Sequence, residues 1–231
     1  MSSVYVVVEG RGEQAFAQQT LAPHLAQQGV WLQAPLVGKP GHKGGVRRWA
    51  SVEGDLVHLL RTNKPDRPVY VTTMFDFFRM PMDWPGRREA RDKPFEQKAS
   101  TVEDALAECI SAVMGEGFLS DRFLPYIQMH EFESLILASP LALVPEFPDR
   151  RTEVEKLAAA VQGLRPEEID DDPDTAPSAR IIERIPEYKG RKGSAAPNVL
   201  DQIGIETLRG RCEHFGRWLA KLESLASAAE R

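Results

Sequence analysis

Cysteine is nearly absent. Of 231 residues only Cys109 and Cys212 carry thiols, far apart and without ligand spacing around either, which excludes a disulfide framework and gives no zinc site. Both are expected to be packing residues on helices. No apolar run approaches the ~20 residues that span a bilayer, and the first residues lack the basic flank and apolar stretch of a secretory signal. The expectation is a cytoplasmic protein with no membrane association. A surplus of positive charge is missing as well: 29 Lys and Arg against 34 Asp and Glu leave −5, which argues against nucleic-acid binding through a globally basic surface. Basic clusters at 39–48, 87–93 and 184–192 leave local binding open, and an acidic run occupies 167–174. Neither the Walker lysine loop nor the dinucleotide fingerprint occurs, so any ATP dependence is expected to come from a partner. There is no internal repeat.

What remains is a globular composition, 42% hydrophobic and 27% charged, at a length that suits one large α/β unit. Residues 1–145 read as an α/β core and 146–231 as a helical elaboration packed on it. Val4 to Val8 is an unbroken β-branched and aromatic run, the pattern of a strand buried on both faces. It ends in Glu9, Gly10, Arg11, Gly12 and Glu13, and a helical spacing of Ala15, Phe16, Leu21 and Leu25 follows. In open α/β sheets ligands bind beyond the carboxyl ends of strands, so Glu9 stands where such a fold places chemistry. Glu13 has two readings, a functional carboxylate and a complement to the helix dipole.

Val30 to Val37 is expected to be a second strand, 49–61 an amphipathic helix, and Val69 to Met74 a third strand running into Asp76. Phe77 to Arg91 reads as a proline-rich loop whose aromatics either pack or stack unpaired bases. A helix capped at Ser100 or Thr101 runs to about Met114. Phe123 to Met129 is a fourth strand, ending at His130 and followed by a helix carrying Glu131 and Glu133. Two residues apart on a helix, only one of these glutamates would face a site. His130 alone reads as a satisfied histidine. Thr152 to Gly163 is a helix, 165–177 an acidic loop, 178–185 a short helix carrying Arg180, and 188–192 a basic turn with Lys189. A last helix runs from about Ile205 to the end. The loop Gly38 to Gly45, with Lys39 and Lys43, is either a phosphate-binding backbone or an ordinary turn. Carboxylates at neighbouring strand ends suit Mg²⁺, which takes one or two of them and otherwise water and phosphate oxygens.

Several stretches together resemble a known family: Val-Glu-Gly-x-Gly-Glu at 8–13, Lys-Gly-Gly at 43–45, Val-Thr-Thr-Met-Phe-Asp at 71–76, and Pro-x-Asp-Trp-Pro-Gly at 81–86. To these add Tyr-Ile-Gln-Met-His-Glu-Phe-Glu at 126–133, Ala-Pro-Ser-Ala-Arg-Ile-Ile at 176–182 and Cys-Glu-His-Phe at 212–215. The pattern is similar to the TOPRIM-like proteins of the domain of unknown function 4276 family, also called RloB- or AbiLii-like. That resemblance implies a TOPRIM-like (Rossmann-like) α/β fold with a mostly parallel sheet flanked by helices. It also implies divalent metal, Mg²⁺ or Mn²⁺, for phosphodiester chemistry, and a neighbouring ABC- or SMC-like ATPase in anti-phage defence. Glu9 matches the TOPRIM glutamate and Asp76 the first aspartate of its Asp-x-Asp pair. Position 78 is Phe, so the second aspartate is absent, and the site is either completed by another group, Glu131 or Glu133, or crippled.

The leading expectation is therefore a metal-dependent nuclease acting on DNA or RNA, the effector subunit of an ATPase-coupled system. Glu9, Asp76, Glu131 and Glu133 would hold metal, with Glu13 as a further ligand or base. Arg11, Lys43, Arg180 and Lys189 would hold the nucleic-acid backbone. A rival is a catalytically weak TOPRIM-derived subunit that binds nucleic acid or its partner. A third is phosphate-ester chemistry on a small substrate. A homodimer is compatible with each.

Overall fold

The valine run lies at the centre of a parallel sheet. A computed structural model describes residues 2–38, 48–62, 68–169, 172 and 174–228. Strand β1 (Ser2–Val8) is flanked by β2 (Val30–Gln33) on one side and β3 (Val69–Asp76) on the other. Beyond β3 lie β4 (Phe123–Leu124) and β5 (Ile127–Gln128), and every pairing is parallel. Centrality explains the missing alternation. Val4, Val6 and Val8 pack on one face with Phe16, Leu21 and Leu25, while Val7 packs on the other with Val71 and Phe75. The protein is α/β, a mostly parallel sheet with helices on both faces.

Two groups of helices cover the faces. Helices α3 (Trp49–Arg61) and α5 (Phe95–Met114) present Val52, Leu56, Val102, Leu106 and Ile110 to the Val7 face. The opposite face receives α1 (Arg11–Phe16), a π-helical turn at Ala17–Leu21 and α2 (Ala22–Ala26), which form one continuous helix. The widened turn directly precedes Pro23, whose ring would clash with the Gln19 carbonyl in an unbroken α-helix. The same face is completed by α8 (Lys192–Ile203), α9 (Ile205–Arg211) and α10 (Glu213–Ala228). Each fully buried Leu, Ile or Phe of these helices contributes roughly 1.5–3 kcal/mol through removal from water.

Several expectations need correction. The second strand stops at Gln33, and only a bridge from Val8 to Leu36 continues it. The fourth strand is split at Pro125, which has no N–H for the ladder. Thr73 repairs the gap, its hydroxyl accepting from Tyr126 N–H at 2.9 Å and donating to the Tyr126 carbonyl at 2.9 Å. The proline-rich loop ends in a short helix, α4 (Arg87–Arg91), and α5 starts at Phe95 behind Pro94 rather than at Ser100. Helix α6 (Arg151–Ala160) and α7 (Pro177–Arg184) lie close to where spacing puts them. The stretch after residue 191 folds as α8 around an internal Pro197, which no apolar period announces. The terminal helix is two helices broken at Cys212, whose backbone is extended. The buried carboxylate of Glu167 accepts the His214 and Phe215 N–H groups at 2.8 and 2.9 Å and so starts α10. No described helix is long and apolar enough to cross a membrane.

Candidate active site

The strand ends lie side by side because the strands are in register. Val8 pairs with Met74, so Glu9 leaves the sheet beside the end of β3, and Asp76 pairs with Gln128 at the end of β5. Glu9 is half-buried, with the Asp76 backbone amide near enough to favour its charged form. Its Oε2 is buried with no hydrogen-bond partner. Gly10 follows in an extended conformation as the N-cap of α1, which makes Glu13 the third helical residue. The Glu13 carboxylate turns back toward Gly10, whose backbone amide favours its charged form. A Cβ on Gly10 would stand 2.8 Å from Glu13 Oε2, so glycine is what admits this carboxylate.

Glu131 and Glu133 arrive from the third strand end. A helix would separate them, but Glu131 is extended (φ −130°, ψ 156°) and the 3₁₀ turn Phe132–Ala138 begins only after it. With Glu131 extended, both carboxylates come near enough to Asp76 to raise its pKa, although Glu131 turns its oxygens to Ser178. Each is buried, at 8% and 7% exposure. Glu131 accepts from Ser178 twice, from its N–H at 2.8 Å and its hydroxyl at 3.0 Å. Glu133 Oε1 lies 3.3 Å from Lys192 Nζ and 3.4 Å from the Tyr188 hydroxyl.

Four glutamates thus lie within electrostatic reach of Asp76, with the Lys192 ammonium paired to Glu133. Burial, then repulsion from Glu13, Glu9, Glu133 and Glu131, holds the Asp76 pKa well above the usual carboxylate range. Burial, then repulsion from Glu13, raises Glu9 to about 7. Burial, with Glu133 repelling, raises Glu13 to about 7, and burial raises Glu133 against the opposing pull of Lys192. The Tyr188 hydroxyl is pushed well up by its burial and by Glu133. Near neutral pH the cluster therefore retains protons or attracts a cation.

A family model described as "Domain of unknown function (DUF4276)" matches residues 8–223. The chain belongs to this family. The DUF4276 match opens at Val8, the residue before Glu9, and takes in every carboxylate above together with Lys192. Among solved structures, the C-terminal region of the Xanthomonas campestris pv. campestris OLD protein, phased with iodine, is similar at 14% identity. It covers 100% of this chain and 98% of that chain with a TM-score of 0.43. No curated protein matches the chain.

Within this DUF4276 chain the structure brings Glu9, Glu13, Asp76, Glu131 and Glu133 together. Arg11 is exposed on the first turn of α1. Lys43 lies outside the described residues. Arg180 is half-buried on α7 and its Nε donates to the Thr175 carbonyl at 2.6 Å, and Lys189 is exposed on the 3₁₀ turn Pro186–Gly190. Sequence reasoning passed over Lys192, Tyr188 and Ser178. Lys192 stood inside the basic 184–192 cluster but could be singled out only with α8 known.

A divalent cation fits part of this arrangement. Among the described residues no group of three His, Cys, Asp or Glu side chains forms a ready ligand set. Mg²⁺ does not need one, since it binds through one or two carboxylates plus water and substrate oxygens. The orphaned Glu9 Oε2 beside the crowded Asp76 carboxylate supplies those two. Glu131, with both oxygens held by Ser178, is placed as a structural acceptor.

Proposed function

We propose that this DUF4276 protein is a Mg²⁺- or Mn²⁺-dependent nuclease. The observation that carries the reading is the convergence of Glu9 and Asp76 at adjacent strand ends, with an unpartnered buried oxygen between acidic neighbours. Glu9 and Asp76 would hold the ion, with Glu133 or Glu13 standing in for the aspartate absent at Phe78. When bound, the ion supplies Lewis acidity toward a phosphoryl oxygen and acidifies a water. Glu13, with a pKa near neutrality, is fitted to take or return a proton there. Lys192 stands beside the carboxylates and offers its ammonium to charge developing on the phosphate. Arg11, exposed at the start of α1, would contact the backbone. Pairing with an ABC- or SMC-like ATPase in a defence system rests on the family resemblance.

The test is incubation of purified protein with single- and double-stranded DNA and RNA in Mn²⁺ or EDTA. Cleavage is expected with Mn²⁺ alone and should fall at least ~100-fold in Glu9→Gln and Asp76→Asn. Undiminished cleavage in both variants would remove this site from the chemistry. Phe78 favours a second reading, a subunit that binds nucleic acid without cutting it. That reading wins if Mn²⁺ does not bind while an oligonucleotide does.

A further inference from the structure

Two consecutive phenylalanines leave β3, and the fold treats them oppositely. Phe77 is fully buried, with the Arg87 guanidinium 4.1 Å from its ring centroid and the His130 ring edge-on at 6.1 Å. Phe78 belongs to neither hydrophobic core and stays half-buried, its ring carrying the Arg79 guanidinium at 5.0 Å. Arg79 is exposed and, among the described residues, is the non-glycine residue with a positive φ, +62°. L side chains enter that region when their surroundings impose it. Here the surroundings do: Phe77 N–H donates to the Gln128 carbonyl at 2.9 Å, Phe78 N–H to the His130 carbonyl at 2.7 Å, and Met80 N–H closes the turn onto Phe77 at 3.3 Å. The turn therefore fixes an aromatic ring and a stacked guanidinium two residues past Asp76, with its backbone bonded to the residue before Glu131.

The core does not use this ring, and among the described residues Arg79 makes no ion pair. Aromatic and guanidinium planes recognise one ligand chemistry in common, the π-face of a nucleobase. Bases inside a duplex already stack on each other, so only an unpaired base is free to take the platform. We propose that Phe78 and Arg79 form a stacking platform for an unpaired base, which makes single-stranded nucleic acid, or a single-stranded segment, the substrate class. The proposal rests on the nuclease reading for the role of the neighbouring carboxylates. It also gives the phenylalanine at the position of the missing aspartate a task of its own.

The experiment is fluorescence anisotropy in EDTA with a labelled single-stranded oligonucleotide and the same strand annealed to its complement. Single strands are expected to bind at least ~10-fold tighter than the duplex. Phe78→Ala and Phe78→Leu should each weaken single-strand binding by about 5- to 100-fold with unchanged melting temperature, while Phe78→Trp retains it. Equal binding of duplex and single strand, or wild-type affinity in Phe78→Leu, overturns the platform. Single-strand binding through Phe78 without any Mn²⁺-dependent cleavage keeps the platform and removes the nuclease reading. Duplex cleavage indifferent to Phe78→Leu does the reverse.

Discussion

Both carboxylate oxygens of Glu131 are held by one residue, Ser178, through its N–H at 2.8 Å and its hydroxyl at 3.0 Å. Ser178 is the second residue of α7, so Glu131 closes the start of a helix that lies 47 positions further along the chain. Glu131→Ala would leave two buried donors unanswered. A loss of about 1.5–3 kcal/mol is expected, read as a lower melting temperature, with Glu131→Gln losing less. A Glu131→Ala protein that melts like wild type but loses Mn²⁺ affinity would instead make Glu131 a ligand.

Glu9 and Glu13, each raised to about 7, give the protein an unusual pH dependence. In the unfolded chain they titrate near 4.5, so between roughly pH 4.5 and 7 the folded state binds more protons than the unfolded state. Stability from these groups is greatest below that window, declines as pH rises through it, and is level above it. The slope is at most roughly 1.4 kcal/mol per pH unit for each group. Without divalent metal, the melting temperature should be higher at pH 5 than at pH 8, and Glu9→Gln should raise the pH 8 value. Equal melting of wild type and Glu9→Gln at pH 8 would contradict this.

Gly10→Ala separates the Glu13 carboxylate from the fold. The added Cβ meets Glu13 Oε2 at 2.8 Å, the far end of a flexible side chain, while the Gly10 backbone conformation suits alanine. Stability should change by less than about 1 kcal/mol. Mn²⁺-dependent cleavage should fall as far as it does in Glu13→Gln. Full activity in Gly10→Ala would show that the carboxylate is not needed where it lies.

Glu223 behaves in the opposite sense to the site glutamates. Arg209 donates to it at 2.5 and 3.0 Å and His24 lies at 2.6 Å, and these bonds, Arg209 foremost, pull its pKa down to about 2. The stabilisation is present above about pH 4.5 and is lost as pH falls toward 2. Allowing for partial solvent screening, Glu223→Gln should cost about 1 kcal/mol at pH 7 and little at pH 2. A penalty independent of pH would assign the loss to packing.

The strand ends were legible because buried strands write themselves as apolar runs, and a charged residue that stops such a run marks the sheet edge. That logic reaches Glu9 and Asp76 directly. It fails at Glu131 and Glu133, where the apolar residues of Phe132–Ala138 suggest a helix starting too early. The single extended residue Glu131 is fixed by Ser178, a contact distant in sequence. Lys192 was hidden for a related reason. Its helix carries glycine, serine and an internal proline and is held by tertiary packing, with Gly12 on α1 close enough that its Cβ position lies 3.8 Å from Gly193. The break at Pro125 was written in the sequence, but its repair by Thr73 was not.

The molecule also has a polarity set by a contact far from the carboxylates. Ser2 Oγ donates to the Leu225 carbonyl at 2.6 Å, which ties the last helix to the first residue of β1. Six further strand residues then separate that contact from Glu9, roughly 20 Å at the usual rise. A fluorophore or surface tether placed on α10 near Leu225 would sit at the opposite pole from the strand ends. Immobilised in that way, the protein would present its carboxylate-bearing strand ends outward to whatever flows past it.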